Sequence, residues 1–301
     1  MIPRVSRIIK DIKSMKIQGA REVAKAGIET LEISARASRA KTKKDFFSDL
    51  QKTTRVLVKS RLTEPALRNV ISHILLKVQQ YEGHYELGRI RNYTLSVCRE
   101  HLRELEEALL KIAEIGSEII QEGDVVLTHC HSHTVVEILR KAKKQGKEFE
   151  VIVTETRPLY QGLLTAKDLL KAKIPVIYCI DSAAGHLMRQ ATKVLTGTDG
   201  IILPNGSVIN KIGTFPIALL AKQFGKPFYV AGGTIKFTEK IELEERGPEE
   251  VVNPKKLPGA KIVNPAFGVT PAEYIEGIIT EEGIFKPDMI GKATGKWSFP
   301  L

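Results

Sequence analysis

Cysteine, aromatic side chains and long apolar runs are all scarce in this chain, and each shortage closes off a class of protein. Cys98, Cys130 and Cys179 are the only three cysteines among 301 residues, too scattered for a disulfide framework, so a reducing, cytoplasmic setting is expected. Their spacing fits no zinc motif. No apolar run approaches the ~20 residues of a membrane span. The opening Met-Ile-Pro-Arg also lacks the apolar stretch of a secretion signal, so no membrane association is expected. Neutral charge balance is missing too. The net charge is +11, and residues 1–62 hold sixteen Lys/Arg against six Asp/Glu, a surplus of ten. Such a surface could serve nucleic acid or a polyanionic small substrate. The basic segment has few aromatics for stacking and no recognised RNA motif, so nucleic acid is not the expected partner. Most of these side chains read as a solvated helix face.

What is present is strong periodicity. A chain of this length can bury the core of one or two domains. Val5, Ile8, Ile9, Ile12 and Met15 fall at helical spacing, as do Val23, Ala24, Gly27, Ile28 and Leu31. Phe46, Phe47 and Leu50 open another helix before a turn at Pro65. Leu67, Ile71, Ile74, Leu75 and Val78 make a further stripe, and a long helix is expected over residues 92–121. Cys98 sits on that stripe as a small core residue. After Gly123 the pattern changes to short apolar runs alternating with amphipathic stretches. Strands are expected near 124–128, 151–154, 175–180, 193–196 and 228–231, with helices between them. This alternation argues an α/β fold: a helical N-terminal domain over 1–120, then a mostly parallel sheet covered on both faces over 121–301.

Four strand-end segments concentrate polar residues. They are Thr128-His-Cys-His-Ser-His-Thr134, Thr154-Glu-Thr-Arg-Pro158 followed by Gln161-Gly162, Gly197-Thr-Asp-Gly200 with Asn210-Lys-Ile-Gly-Thr214, and Ala231-Gly-Gly-Thr-Ile-Lys-Phe237. In an open parallel sheet, ligands bind beyond the carboxyl ends of strands, where helix N-termini present unpaired N–H groups. Cys130 stands at the first of these junctions. Plainer readings exist for single residues. Asp199 fits a turn, Cys179 in Val-Ile-Tyr-Cys-Ile fits a core position, and alternating His129, His131 and His133 suggest a metal but lack a companion carboxylate pattern.

Taken in order, these motifs resemble the superfamily of archaeal ribose-1,5-bisphosphate isomerases, methylthioribose-1-phosphate isomerases and the alpha, beta and delta subunits of initiation factor 2B. The resemblance covers nearly the whole chain and is nearest the first branch, because Cys130 and Asp199 are both present. It implies a Rossmann-like C-terminal domain and conversion of ribose 1,5-bisphosphate to ribulose 1,5-bisphosphate in nucleoside-phosphate salvage, with no cofactor and no metal. Cys130 would be the proton acceptor and Asp199 the donor. Gly19, Ala20, Arg21 and Arg61 would hold one phosphate, and Ser132, Thr134 and Arg157 the other. Gln161, Asn210, Lys211 and Lys236 would contact the sugar. A homodimer or homohexamer is implied. The chain departs from the family pattern at Gln18-Gly19-Ala20, where Arg-Gly-Ala is usual, and at Ala231-Gly-Gly-Thr-Ile-Lys236, where Ala-Ala-Glu-Thr-Tyr-Lys is usual. The other branches, methylthioribose-1-phosphate isomerase and a non-catalytic regulatory subunit, are the alternatives.

The chemistry has its own demands. A sugar phosphorylated at C1 cannot relax to a free aldehyde, so its isomerisation needs one acid at the ring oxygen and one base at C2. A thiol near a helix N-terminus and cations is expected to have its pKa lowered toward neutrality. An aspartate on a dry strand end is expected to shift upward.

Overall fold

A computed structural model describes residues 2–61, 63–82, 85–239 and 242–293. Leu62, in the turn expected before Pro65, and the last residues of the expected C-terminal domain lie outside the described residues. The described residues form two compact units, one from 2–107 with 235–237, the other from 108–234 and 238–293.

The first unit is helical: α1 (Pro3–Lys13), α2 (Ala20–Ala37), α3 (Lys43–Val58), α4 (Pro65–Glu82) and most of α5 (Leu87–Ser117). The expected stripes are the buried faces. Val5, Ile8, Ile9 and Ile12 face inward on α1, and Val23, Ala24, Gly27, Ile28 and Leu31 on α2. Met15 instead lies past the end of α1 in the left-handed region, with φ 61°. Thr42 caps α3 by accepting the Asp45 N–H, which satisfies one of the donors a helix start leaves unpaired. Cys98 is fully buried, and burial pushes its thiol up to about 12.

The second unit is built on a seven-stranded sheet. Its strands are β1 (Val125–Thr128), β2 (Glu150–Thr154), β3 (Val176–Cys179), β4 (Lys193–Gly197), β7 (Phe228–Ala231), β10 (Gly277–Thr280) and β11 (Gly283–Phe285). They lie in the order β11-β10-β7-β4-β1-β2-β3, all parallel except β11. From β1 the chain steps outward to β2 and β3, then returns to the other side for β4, β7 and β10. The strand order therefore reverses between β1 and β4, the point at which open α/β sheets bind their ligands. Helices α6 (His133–Lys144), α7 (Gln161–Lys171), the short α8 (Ala184–Leu187) and α9 (Thr214–Gln223) follow the strands.

A second sheet was not expected. It is four-stranded, with β5 (Gly200–Ile202), β6 (Val208–Lys211), β8 (Phe237–Thr238) and β9 (Phe267–Thr270) in the order β8-β5-β6-β9. β6 pairs antiparallel with β5 and β9, which puts Asn210 and Lys211 on a strand rather than in a loop. The expected core strand β3 is a sheet edge, with Tyr178 43% and Ile180 57% exposed, so Cys179 is half-buried rather than core. Among the described residues, no helix is long and apolar enough to cross a membrane.

One buried polar contact in the first unit has a measurable consequence. His101 on α5 is fully buried, its Nδ1–H donates to the Val97 carbonyl at 2.9 Å, and its Nε2 lies 2.7 Å from Nδ1 of His73 on α4. A carbonyl only accepts, so neutral His101 must accept at Nε2. Burial, reinforced by His73 and Lys77 against the opposing Glu104, lowers its pKa to about 4. The unfolded chain takes up this proton near pH ~6.5. The unfolded state therefore binds more protons between those limits, and stability falls as pH drops through them. Urea unfolding at pH 7 and pH 5 should show that loss, and His101→Gln should flatten it. Equal pH slopes in parent and variant would remove His101 as its cause.

Candidate active site

Four neighbouring strands deliver a polar residue two places past their last residue: Cys130 after β1, Thr156 after β2, Asp181 after β3 and Asp199 after β4. Because the sheet runs β4-β1-β2-β3, these residues follow one another in space as Asp199, Cys130, Thr156, Asp181. Cys130 and Asp199 thus come from the two strands that flank the reversal of strand order. Register keeps the others level, since Thr154 pairs with Cys179 across β2 and β3.

Cys130 sits in a left-handed conformation with φ 68°, and so does Thr156 with φ 62°. Each such placement costs an L-residue about 1–2 kcal/mol. Hydrogen bonds hold both. The Cys130 N–H donates to Thr156 Oγ1 at 2.9 Å, and its carbonyl accepts from Thr165 Oγ1 at 2.9 Å. The Asp181 carboxylate accepts the Thr156 N–H at 2.8 Å and the Arg157 N–H at 2.7 Å. Bonds to a charged acceptor contribute about 1.5–3 kcal/mol each, enough to offset the strain.

His129 joins this turn to β6. Its Nε2–H donates to the Ile212 carbonyl at 2.8 Å, so its Nδ1 accepts from Thr154 Oγ1 at 2.6 Å. Asp181 Oδ1 approaches that Nδ1 to 3.8 Å, but this is not an ion pair, because burial lowers the pKa of His129 and keeps it neutral. Gly213 makes the contact possible. Its φ is 99°, and an added Cβ would stand 2.8 Å from His129 Nε2. Gly197 plays a similar part at β4, where a Cβ would stand 2.4 Å from Ser132 Oγ, the N-cap oxygen of α6. His131 turns elsewhere, to Thr165 Oγ1 at 3.0 Å, so His129 and His131 do not share a partner.

The electrostatics of the thiol run opposite to the sequence-based expectation. Burial raises Cys130 to about 11, Asp199 and Asp181 add to the rise, and Lys211 and the His131 N–H oppose it without prevailing. Proximity to a cation and a helix start is not sufficient when desolvation is larger. Lys211 is itself buried, with its ammonium 4.7 Å from the centroid of the Phe267 ring and no carboxylate partner among the described residues. Such a cation is suited to an anionic ligand.

The other expected residues are placed as follows. Ser132 Oγ accepts the Val135 N–H, and Thr134 is buried in the first turn of α6. Buried Asn210 donates to Thr214 Oγ1 at 3.0 Å. Gln161 is buried at the start of α7, with its Oε1 lacking a hydrogen-bond partner among the described residues. Arg157 is exposed and donates to Tyr160 Oη at 2.8 Å and the Val251 carbonyl at 2.8 Å. Gly19, Ala20, Arg21, Arg61 and Lys236 belong to the first unit. Gly19 takes φ 84° at the N-cap of α2, and Ala20 is buried. Arg21 is held by Glu22 at 2.7 Å and by Glu106. Burial alone would raise the Glu106 carboxyl, but Lys25 and Arg21 outweigh it and lower its pKa. Arg61 is buried and donates to Glu64 Oε1 at 2.8 Å. Lys236 is buried in a 3₁₀ turn. Asp181, Thr156 and Thr165 were not singled out as site residues from sequence. The shared two-residue step past each strand is the signal that would have found the first two.

Comparison with known proteins gives a consistent result. The model of the initiation factor 2 subunit family matches residues 16–287. A ribose 1,5-bisphosphate isomerase of Pyrococcus furiosus is 39% identical over 99% of this chain and 96% of its own length. One from Thermococcus kodakarensis is 38% identical over 95% and 92%. The crystal structure of a translation initiation factor eIF-2B from Pyrococcus horikoshii superposes with TM-score 0.82 at 33% identity, covering 95% of this chain and 98% of that one.

Two consequences of the thiol's surroundings can be measured without substrate. Iodoacetamide should alkylate Cys130 slowly at neutral pH and faster as pH rises toward about 11. Lys211→Met removes the opposing cation and should slow alkylation at pH 9. Peptide-resolved mass spectrometry reads both, and an unchanged rate in the variant would show that Lys211 does not act on the thiol.

Proposed function

The chain belongs to the initiation factor 2 subunit family, and within it we propose an aldose–ketose isomerase that converts ribose 1,5-bisphosphate to ribulose 1,5-bisphosphate. Support comes chiefly from one observation, a half-buried cysteine and an aspartate at adjacent strand ends on either side of the strand-order reversal, with Asp199 adding to the rise in the thiol's pKa.

The residues have distinct tasks in this reading. The base takes the proton from C2 while the acid protonates the ring oxygen, so the C1–O bond breaks and an enol phosphate forms. The C2 hydroxyl then loses its proton and C1 gains one, leaving the ketose. Hydrogen moves only within the substrate and between it and these two groups, so no external oxidant or reductant enters the balance. Cys130 is assigned as the base and Asp199 as the acid. Lys211, Asn210 and Gln161 orient the sugar, and Ser132, Thr134 and Arg157 take one phosphate. Desolvation protects the enol phosphate from water. A homodimer or homohexamer in the cytoplasm completes the proposal.

A coupled assay in which ribulose-1,5-bisphosphate carboxylase traps the product tests it. Cys130→Ser and Asp199→Asn should each lower kcat by at least about 10²-fold. Two variants that turn over like the parent would end the assignment. The pH profile then separates the roles. With Cys130 as base, kcat/KM of the free enzyme rises with pH toward about 11, since only the thiolate accepts a proton. A profile that falls across the alkaline range would instead make the thiol the acid.

A further inference from the structure

We propose that Asp181 is a positioning residue for Cys130, acting through Thr156: its carboxylate fixes the turn whose hydroxyl holds the Cys130 N–H. The path is continuous. Both carboxylate oxygens are engaged, Oδ1 with the Thr156 N–H at 2.8 Å and Oδ2 with the Arg157 N–H at 2.7 Å. Thr156 Oγ1 then accepts the Cys130 N–H at 2.9 Å. The contact joins residues about two dozen positions apart on adjacent strands, so it is not a local turn in which an aspartate caps its own backbone. It also holds the two backbone N–H groups that flank Thr156, a left-handed residue whose conformation an L-residue does not keep unaided.

Charge gives this role a signature that a merely structural residue lacks. The ionisable groups acting on the Cys130 thiol are Lys211, Asp199 and Asp181. Those near the Asp181 carboxylate are His129, Tyr178, Cys179 and the thiol itself. His129 stays neutral, so the negative charge of Asp181 is not cancelled there. Asp181→Asn keeps the size of the side chain and one accepting oxygen, but removes the charge and the second acceptor.

Turnover in this test rests on the isomerase reading, whereas alkylation of Cys130 in substrate-free protein does not. In Asp181→Asn, the pH midpoint of alkylation should move down, because loss of a nearby negative charge favours the thiolate, while kcat falls on the order of 10-fold from misplacement. Thr156→Val removes the hydroxyl and leaves the charge, so kcat should fall similarly with the alkylation midpoint unmoved. The double variant should lose no more than the worse single one, as expected of residues acting in series. A midpoint unmoved in a folded Asp181→Asn, a kcat within threefold of the parent, or losses that multiply in the double variant would each overturn the proposal. If the parent itself does not isomerise the sugar, the functional reading fails. The midpoint and the same cycle on the limiting alkylation rate then decide the positioning role alone.

Discussion

A half-buried cysteine whose ionised form is poorly solvated, beside a lysine, is the condition on which the second unit is arranged. Burial of Cys130 makes its ionised form costly, and Lys211 supplies the compensating charge only in part. Lys211, buried and in no salt bridge among the described residues, is likewise costly to hold, so the two groups suit a site completed by an anion. The sheet accounts for their meeting. β1 and β4 run side by side at the point where the chain changes direction across the sheet. In open parallel sheets, ligands bind at such a point, just beyond the carboxyl ends of the strands.

Rigidity around the thiol comes from backbone contacts more than from side-chain bulk. Two L-residues held left-handed, a histidine fixed in one tautomer between Thr154 and Ile212, and glycines at 197 and 213 leave little freedom at the strand ends. At the opposite ends of the same strands, Lys193 pairs with Asp124 and donates to the Ile119 carbonyl at 2.7 Å. That buried pair is satisfied by the protein itself. The contrast between that closed ion pair at one end of the strands and Lys211, buried without a salt bridge among the described residues near Cys130 at the other, separates structure from chemistry.

Much of this was legible in sequence, for a physical reason. Long amphipathic helices repeat their apolar positions over many turns, so the stripes on α1, α2 and α4 could be read before any packing was known. Parallel strands buried on both faces appear as short apolar runs, and Cys130 and Asp199 stood out as polar residues just past two of them. What could not be read depends on partners distant in the chain. β5 and β6 are too short to show a period; β6 is held by β9, some sixty residues later, and β5 in turn by β6. The exposure of β3 depends on its being last in the sheet. The raised pKa of Cys130 depends on how deeply the fold closes over it, which neighbouring letters do not report. Asp181 looked like any aspartate ending an apolar run until β3 was placed beside β2.

The uniform step of two residues from strand to functional group constrains how this protein can diverge. Substituting a residue at these positions alters the chemistry offered but leaves the frame intact. Adding or deleting one residue between Thr128 and Cys130, or between Cys179 and Asp181, would turn the group away and break the chain of contacts across the three segments that follow β1, β2 and β3. Descendants of this sequence can therefore vary in the letters at these four junctions but hardly in their count, and changes of length should gather in the loops that lie farther along.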